Sequence, residues 1–276
     1  MVSLSPAPAA IATGCLARCS MPDRLIFIGD VHGMSDQLKD LLDRLTPSTE
    51  DELIFVGDLV DKGPDPIGTV RIVSQLIHHS DTETTLLRGN HEDKHLRYRL
   101  RLQDSPKVAR KMGESSPELV AFMSDATDED WDTLLKARHF WRNHDRNLLA
   151  VHGGIPGDMW SFPHDWDEVE KLERHDQRSV EKIYRTRFVD HHSGAFIASG
   201  HQTPDDPFWA ERYDGRFGDV IFGHEPFFDG PREFPHATGI DTAAVYGGQL
   251  TALIIHADDR REYVSVDCPA YRKPGA

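Results

Sequence analysis

The sequence predicts an α/β fold in which two packed mixed sheets are flanked by helices. Two observations predict it. The first half alternates short apolar runs, rich in branched and aromatic residues and bounded by glycine, with amphipathic helical stretches. The second half is a succession of β-like runs with few helical signals. A third observation locates the chemistry, because five segments that pair Asp, Asn or His with glycine each follow one of those runs. They are Gly29-Asp30-Val31-His32-Gly33, Gly57-Asp58-Leu59-Val60-Asp61-Lys62-Gly63, Gly89-Asn90-His91-Glu92, Val151-His152-Gly153-Gly154 and Gly223-His224-Glu225. In open α/β sheets sites assemble at the carboxyl edge of the strands, where glycine lets the chain turn sharply and approach a bound group.

Taken in order, Leu25–Ile28 reads as a buried strand. Ser35 is the expected N-cap of a helix whose Leu38, Leu41, Leu42 and Leu45 share a face. Leu53–Val56 closes a β-α-β unit. A second unit places Pro64 near the start of a helix with Val70, Val73, Leu76 and Ile77 on one face, before a strand that ends at Leu87. From Glu92 to about Arg138 no strand-like run occurs. Helical pieces at His95–Leu102, Pro117–Met123 and Glu129–Ala137 read as a helical insertion, about residues 93–138, beside the site. The runs from His139 to Arg142 and from Leu148 to Val151 form an expected hairpin that delivers His152. Asp165 to Arg185 is charged and helical, a solvated face. β-like runs follow at Ala195–Ser199, Val220–Phe222, Ala237–Ile240, Gln249–Ile255 and Glu262–Val266. The expected organisation is one domain over 21–270. Residues 1–20, rich in Ala, Ser and Pro, read as a disordered leader, or Met21 as the functional start.

The 276 residues are enough to bury a full core. The formal charge of −15, from 46 acidic against 31 basic side chains, disfavours non-specific adsorption to nucleic acid or anionic lipid. It leaves a phosphorylated substrate open, since two divalent cations would add about +4 at the site itself. No stretch approaches the roughly 20 apolar residues that span a bilayer, so no membrane partner is expected. Three cysteines, Cys15, Cys19 and Cys268, make no disulfide framework, and a reducing cytoplasm is the expected location.

Mixed carboxylate, imidazole and amide-oxygen donors suit Mn²⁺, Fe²⁺ or Zn²⁺, with Mn²⁺ expected first. Asp30 and His32, one residue apart beyond a strand end, can point toward one ion. Asp58 would bridge two ions, and Asn90, His152 and His224 would complete the second. Two cations about 3.5–4 Å apart can hold a bridging hydroxide and stabilise in-line displacement at phosphorus. The nucleophile is then water, and the departing oxygen needs a proton. His91 is the candidate general acid and Asp61 the candidate partner that orients it and holds it protonated. Glu92, at a helix start, reads as a capping carboxylate, and Asp241 as a structural acid at a strand end.

This ordered set resembles the calcineurin-like metallophosphoesterases, and more narrowly the phosphoprotein phosphatase family in its bacterial form, related to diadenosine tetraphosphate hydrolases. The DxH, GDxxDR, GNHE, HGG and late-His motifs of that family look like Asp30/His32, Asp58/Asp61, Asn90/His91/Glu92, His152 and His224, over roughly Leu25 to Leu253. The resemblance implies a four-layer α/β/β/α sandwich, a two-metal site and a phosphoester hydrolase. Lys62 stands where the eukaryotic Ser/Thr phosphatases carry arginine, a point charge in place of a bidentate fork. Arg185 or Arg187 is the expected second phosphate clamp. The last motif ends in His224-Glu225-Pro226 where the family has GHxH, which leaves one ion fewer protein donors. The first expectation is a phosphomonoesterase acting on phosphorylated protein or small phosphate esters. The alternatives are hydrolysis of dinucleoside tetraphosphate or polyphosphate, and a non-catalytic scaffold, whose signature would be loss of Asp58, Asn90 or His91.

Overall fold

The computed structural model describes residues 22–273. The expectations for residues 1–20, Met21, Cys15 and Cys19 fall outside them. Three strands, β1 (Arg24–Ile28), β2 (Asp51–Phe55) and β3 (Glu83–Leu86), pair in parallel. They are joined by the crossover helices α1 (Ser35–Leu45) and α2 (Pro66–His79). Four helices follow, α3 (Asn90–Asp104), α4 (Pro106–Ser115), α5 (Pro117–Asp125) and α6 (Asp128–Leu135). The antiparallel hairpin β4 (Trp141–Asn143) and β5 (Leu148–Ala150) returns the chain to the core. Beyond it lie 3₁₀ turns at Trp166–Lys171 and Glu181–Tyr184, α7 (Arg174–Val180) and α8 (Trp209–Arg212). The strands β6 (Asp219–Phe222), β7 (Arg232–Phe234), β8 (Ala237–Gly239), β9 (Gln249–His256) and β10 (Arg261–Asp267) complete two mixed five-stranded sheets. Their orders are β10-β9-β1-β2-β3 and β4-β5-β6-β8-β7.

The alternation of side chains along each strand sorts the core into layers. Ile26 and Ile28 of β1, with Leu53 and Phe55 of β2, pack against Leu38, Leu41, Val70, Val73 and Leu134 of the helices. Their neighbours Leu25, Phe27, Ile54 and Val56 face the other way and meet Ala150, Ile221 and Leu253 between the sheets. On the far side Leu149, Val220 and Phe222 pack on Ile183, Tyr184 and Trp209. Because both faces of the central strands are buried, those strands read as continuous apolar runs.

Several local expectations change. Ser35 is the first residue of α1, not its cap. Its hydroxyl donates to Asp65 (2.7 Å), which itself caps α2 by accepting from the Gly68 amide (2.9 Å). Pro66, not Pro64, starts α2, because Asp65 supplies the cap one residue before it. The helical region also contains α4, whose only buried residue is Ala109 and whose apolar side chains are few. Residues 165–185 are not a simple solvated helix, since Val169, Val180, Ile183 and Tyr184 are buried and the chain breaks into short turns. Ala195–Ser199 makes a single bridge, Phe196 to Val189, not a strand. The exposed edge strand β7 is missed because Arg232-Glu233-Phe234 has no apolar alternation.

One polar group inside this frame is out of balance. Glu52 on β2 lies in register beside Glu83 on β3 and accepts a hydrogen bond from the Trp141 indole. Burial, which the indole hydrogen bond opposes and the Glu83 charge reinforces, pushes its carboxyl up to about 7. The folded state then keeps a proton that the unfolded chain, at the ordinary 4.5, has released. Stability should therefore fall as pH rises from about 4.5 to about 7 and level off above, by up to about 3 kcal/mol from this group. Glu52→Gln should flatten that slope in urea denaturation measured across the same range. Equal slopes in both proteins would remove Glu52 as the cause.

Candidate dinuclear metal centre

The strand ends of both sheets meet at one edge. The first sheet and α3 bring Asp30, His32, Asp58, Asp61, Asn90 and His91, while the second brings His152 after β5 and His224 after β6. The chain bends hard to do this. His32, Asp58, Asp61, Lys62 and His224 have φ of 44, 53, 67, 63 and 70°. Such left-handed backbone costs a side-chain-bearing residue roughly 1–2 kcal/mol, so its concentration at these positions marks a site held by its surroundings. Glycine is required where the two sheets touch. A Cβ on Gly223 would collide with the Asp30 carboxylate, and with glycine there the His224 amide donates to both Asp30 oxygens at 3.1 Å.

Asp58 is the hub. One carboxylate oxygen lies 3.3 Å from His152 Nε2 and accepts from the His91 amide (3.1 Å). The other lies 3.4 Å from His32 Nε2 and 3.9 Å from His91 Nε2. His32 Nδ1 and His152 Nδ1 each donate to a backbone carbonyl, of Val60 and Val56, at 2.9 Å. That turns Nε2 of both rings inward. Burial opposes a charge on His152, but the Asp58 and Asp30 carboxylates outweigh it and push that imidazole up to about 9. Asn90 Oδ1 sits 3.1 Å from His152 Nε2, and Asp30 Oδ2 is 3.9 Å from His32 Nε2. His32, Asp58 and His91 form one tight group of potential ligands, and Asp58, His152 and His224 another, with Asp58 common to both.

The charges explain what the nest wants. Burial, then repulsion from Asp241 and Asp58, lifts the Asp30 carboxyl well above its ordinary range. Burial also works against the Asp58 carboxylate, but the imidazoles of His152 and His91 outweigh it and hold that group well below. Burial, with Lys62 beside one and Arg187 beside the other, keeps His32 and His224 neutral, the state that can donate a lone pair. Buried carboxylates that repel one another, with the neutral imidazoles of His32 and His224 converging among them, are a donor set suited to divalent cations of borderline character.

Around the nest, Glu92 is fully buried and accepts from the amides of Asp58 (2.8 Å), Leu59 (2.8 Å) and Gly89 (2.9 Å), so it organises the backbone of two ligand loops. Asp241 accepts from the Ala243 amide (3.0 Å) and also adds negative charge beside Asp30 and Asp58. His91 Nδ1 donates to Asp61 Oδ2 at 2.6 Å, which turns Nε2 toward the cluster. The sequence reading missed the other side of that contact. His95, fully buried one helical turn after His91, donates from Nε2 to Asp61 Oδ1 at 2.6 Å and packs edge-on against Phe122 of α5. The available signal was the four-residue spacing of two histidines on one helix face. Burial pushes the Asp61 carboxyl up, but the hydrogen bonds from His91 and His95 overcome it and hold it well below the carboxylate range.

The candidate substrate groups gather in one cavity of ≈ 590 Å³, whose wall includes Asn90, His91 and His224 with Lys62, Arg185 and Arg187. Lys62 Nζ lies 2.7 Å from His32 Nε2, Arg187 donates to the His224 carbonyl (2.7 Å), and Arg185 donates to Asp93 (2.7 Å). Both arginines that the sequence nominated thus reach the cavity. Elsewhere among the described residues, His144, His164 and Asp165 also come together, but on an exposed surface.

The family model for calcineurin-like phosphoesterases matches residues 23–228. A Bacillus thuringiensis protein named bis(5'-nucleosyl)-tetraphosphatase PrpE [asymmetrical] is 30% identical over 239 residues, covering 82% of this chain and 88% of the relative. A crystal structure of a candidate diadenosine tetraphosphatase superposes with a TM-score of 0.63 at 25% identity, over 90% of this chain and 94% of that one. The structure of a Saccharomyces cerevisiae protein serine/threonine phosphatase, at 13% identity, shares the fold with a TM-score of 0.61, over 94% and 83% of the two chains. The chain therefore belongs to the calcineurin-like phosphoesterases, hydrolases of phosphoric ester or anhydride bonds.

Proposed function

We propose that this protein hydrolyses phosphoanhydrides of dinucleoside polyphosphates, with two divalent cations, Mn²⁺ first among Mn²⁺, Fe²⁺ and Zn²⁺, held by Asp30, His32, Asp58, Asn90, His152 and His224. The observation that carries the hydrolytic part is the shared carboxylate of Asp58, set among the imidazoles of His32, His91 and His152. The substrate class leans on the named activity of the 30%-identical relative, which covers most of both chains. Phosphoprotein hydrolysis, the first expectation from the motifs, has weaker support. The serine/threonine phosphatase neighbour shares only the fold at its low identity, and Lys62 lacks the fork of an arginine.

When bound, such cations polarise the phosphoryl group and supply an activated water. The residues of the chain do the rest. Lys62 and Arg187, on the cavity wall, neutralise and orient the phosphate. Asp61 accepts from His91 Nδ1 and so aims the ring, and His91 Nε2–H donates to the departing oxygen. His95 locks the other Asp61 oxygen, which fixes the plane of the carboxylate and hence the aim of His91. The low cysteine count fits a cytoplasmic enzyme acting on a soluble nucleotide.

His91→Asn should lower turnover by about 10²–10⁴-fold with metal content unchanged. The loss should be smaller with p-nitrophenyl phosphate, whose leaving group needs little help from an acid, and turnover that survives with poor leaving groups would unseat His91. Asp58→Asn should lose both bound metal, measured by elemental analysis, and activity; a fully metallated variant would contradict its place between two ions. The substrate class is tested by kcat/KM for diadenosine tetraphosphate against a phosphopeptide panel under one Mn²⁺ condition. Preference for the phosphopeptides would restore the protein phosphatase reading.

A further inference from the structure

A single phosphoryl group does not need the whole wall of this cavity. In a chain of net charge −15, five cationic side chains, Lys62, Lys94, Arg97, Arg185 and Arg187, line it against one carboxylate, Glu225. Three of the five lie beyond the groups that hold the reacting phosphate. His91, Lys94 and Arg97 recur every third residue along α3, so the row runs outward from the proton donor, with Arg97 roughly 9 Å along the helix axis from His91.

The row is built from behind. Arg97 Nε (2.9 Å) and Arg185 Nη2 (2.7 Å) converge on the same oxygen of Asp93, and Lys94 Nζ is held by Glu118 at 2.8 Å. The Asp93 side chain is 11% exposed, whereas those of Arg97 and Arg185 are 52% and 37% exposed. One buried carboxylate thus aligns two guanidiniums and neutralises only one of them, and neither it nor Glu118 lines the cavity. Two cations kept side by side with surplus charge favour an anion that spans both.

We propose that Lys94, Arg97 and Arg185 form a binding site for a linear chain of linked phosphates leading away from the metal nest, so that the number of phosphates sets affinity. The proposal extends the phosphoanhydride reading and rests on it for its biological meaning. The shared chemistry is the polyphosphate chain, whether inorganic or capped by nucleosides.

The test uses p-nitrophenyl phosphate turnover at fixed free Mn²⁺, with inorganic tripolyphosphate and orthophosphate as competitors. Tripolyphosphate should bind the native protein at least about tenfold more tightly than orthophosphate, as expected for one or more added charge-assisted contacts. In Lys94→Gln/Arg97→Gln that ratio should collapse to about twofold or less, with thermal denaturation confirming the fold. A ratio near one in the native protein, or an unchanged ratio in the variant, would overturn the site. Diadenosine tetraphosphate, added as a third competitor, separates the sources. If it alone shows the advantage, the wall reads nucleosides and the phosphate row is wrong. A native protein that binds by chain length yet fails to cleave diadenosine tetraphosphate would keep the site and remove the proposed function.

Discussion

Asp58 carries more of this architecture than any other side chain. It lies in left-handed backbone at the end of β2, essentially without exposure, with one oxygen toward His152 from the second sheet and the other toward His32 from the first. A buried carboxylate in such a place is costly unless it is surrounded by donors or cations. The loops meet that condition together. His91 offers its amide, the neighbouring imidazoles offer their rings, and Glu92 ties down the amides of Asp58 and Leu59.

Much of this was legible because period and punctuation coincide. The apolar runs that became β1, β2, β5 and β6 are buried on both faces, so they stand out as unbroken hydrophobic stretches, and glycine follows each one within a few residues. The histidines and aspartates beside those glycines are then placed at strand ends by geometry alone. The first helix was equally clear, since its four leucines fall on one face and Ser35 to Leu45 is the observed span.

What stayed hidden depends on contacts distant in sequence. No local pattern says that Ser35 will give its hydroxyl to Asp65, and this displaced the expected cap. The helix α4 buries only Ala109 and carries just Val108, Ala109 and Met112 as apolar side chains, too few to announce a helix. Asp241 looked like an isolated strand-end acid, and only the packing of the sheets reveals that its charge raises the Asp30 carboxyl. His95 is the most instructive omission. Its value lies in reaching a residue 34 positions earlier, while Phe122, which packs on Trp131 in turn, holds it from the helices outside the sheet.

The division of the donors between two sheets has a mechanical consequence. Asp30, His32 and Asp58 ride on one sheet and His152 and His224 on the other, so the gap between donor sets is governed by the apolar layer where Phe27, Ile54 and Val56 meet Ala150, Ile221 and Leu253. Interiors are packed at crystal-like density, and a lost or added methylene there is not absorbed locally. The thickness of a dry hydrocarbon layer thus becomes a determinant of how far apart the two donor sets stand. Residues that never touch substrate, metal or water would in this way tune the reactivity of the centre.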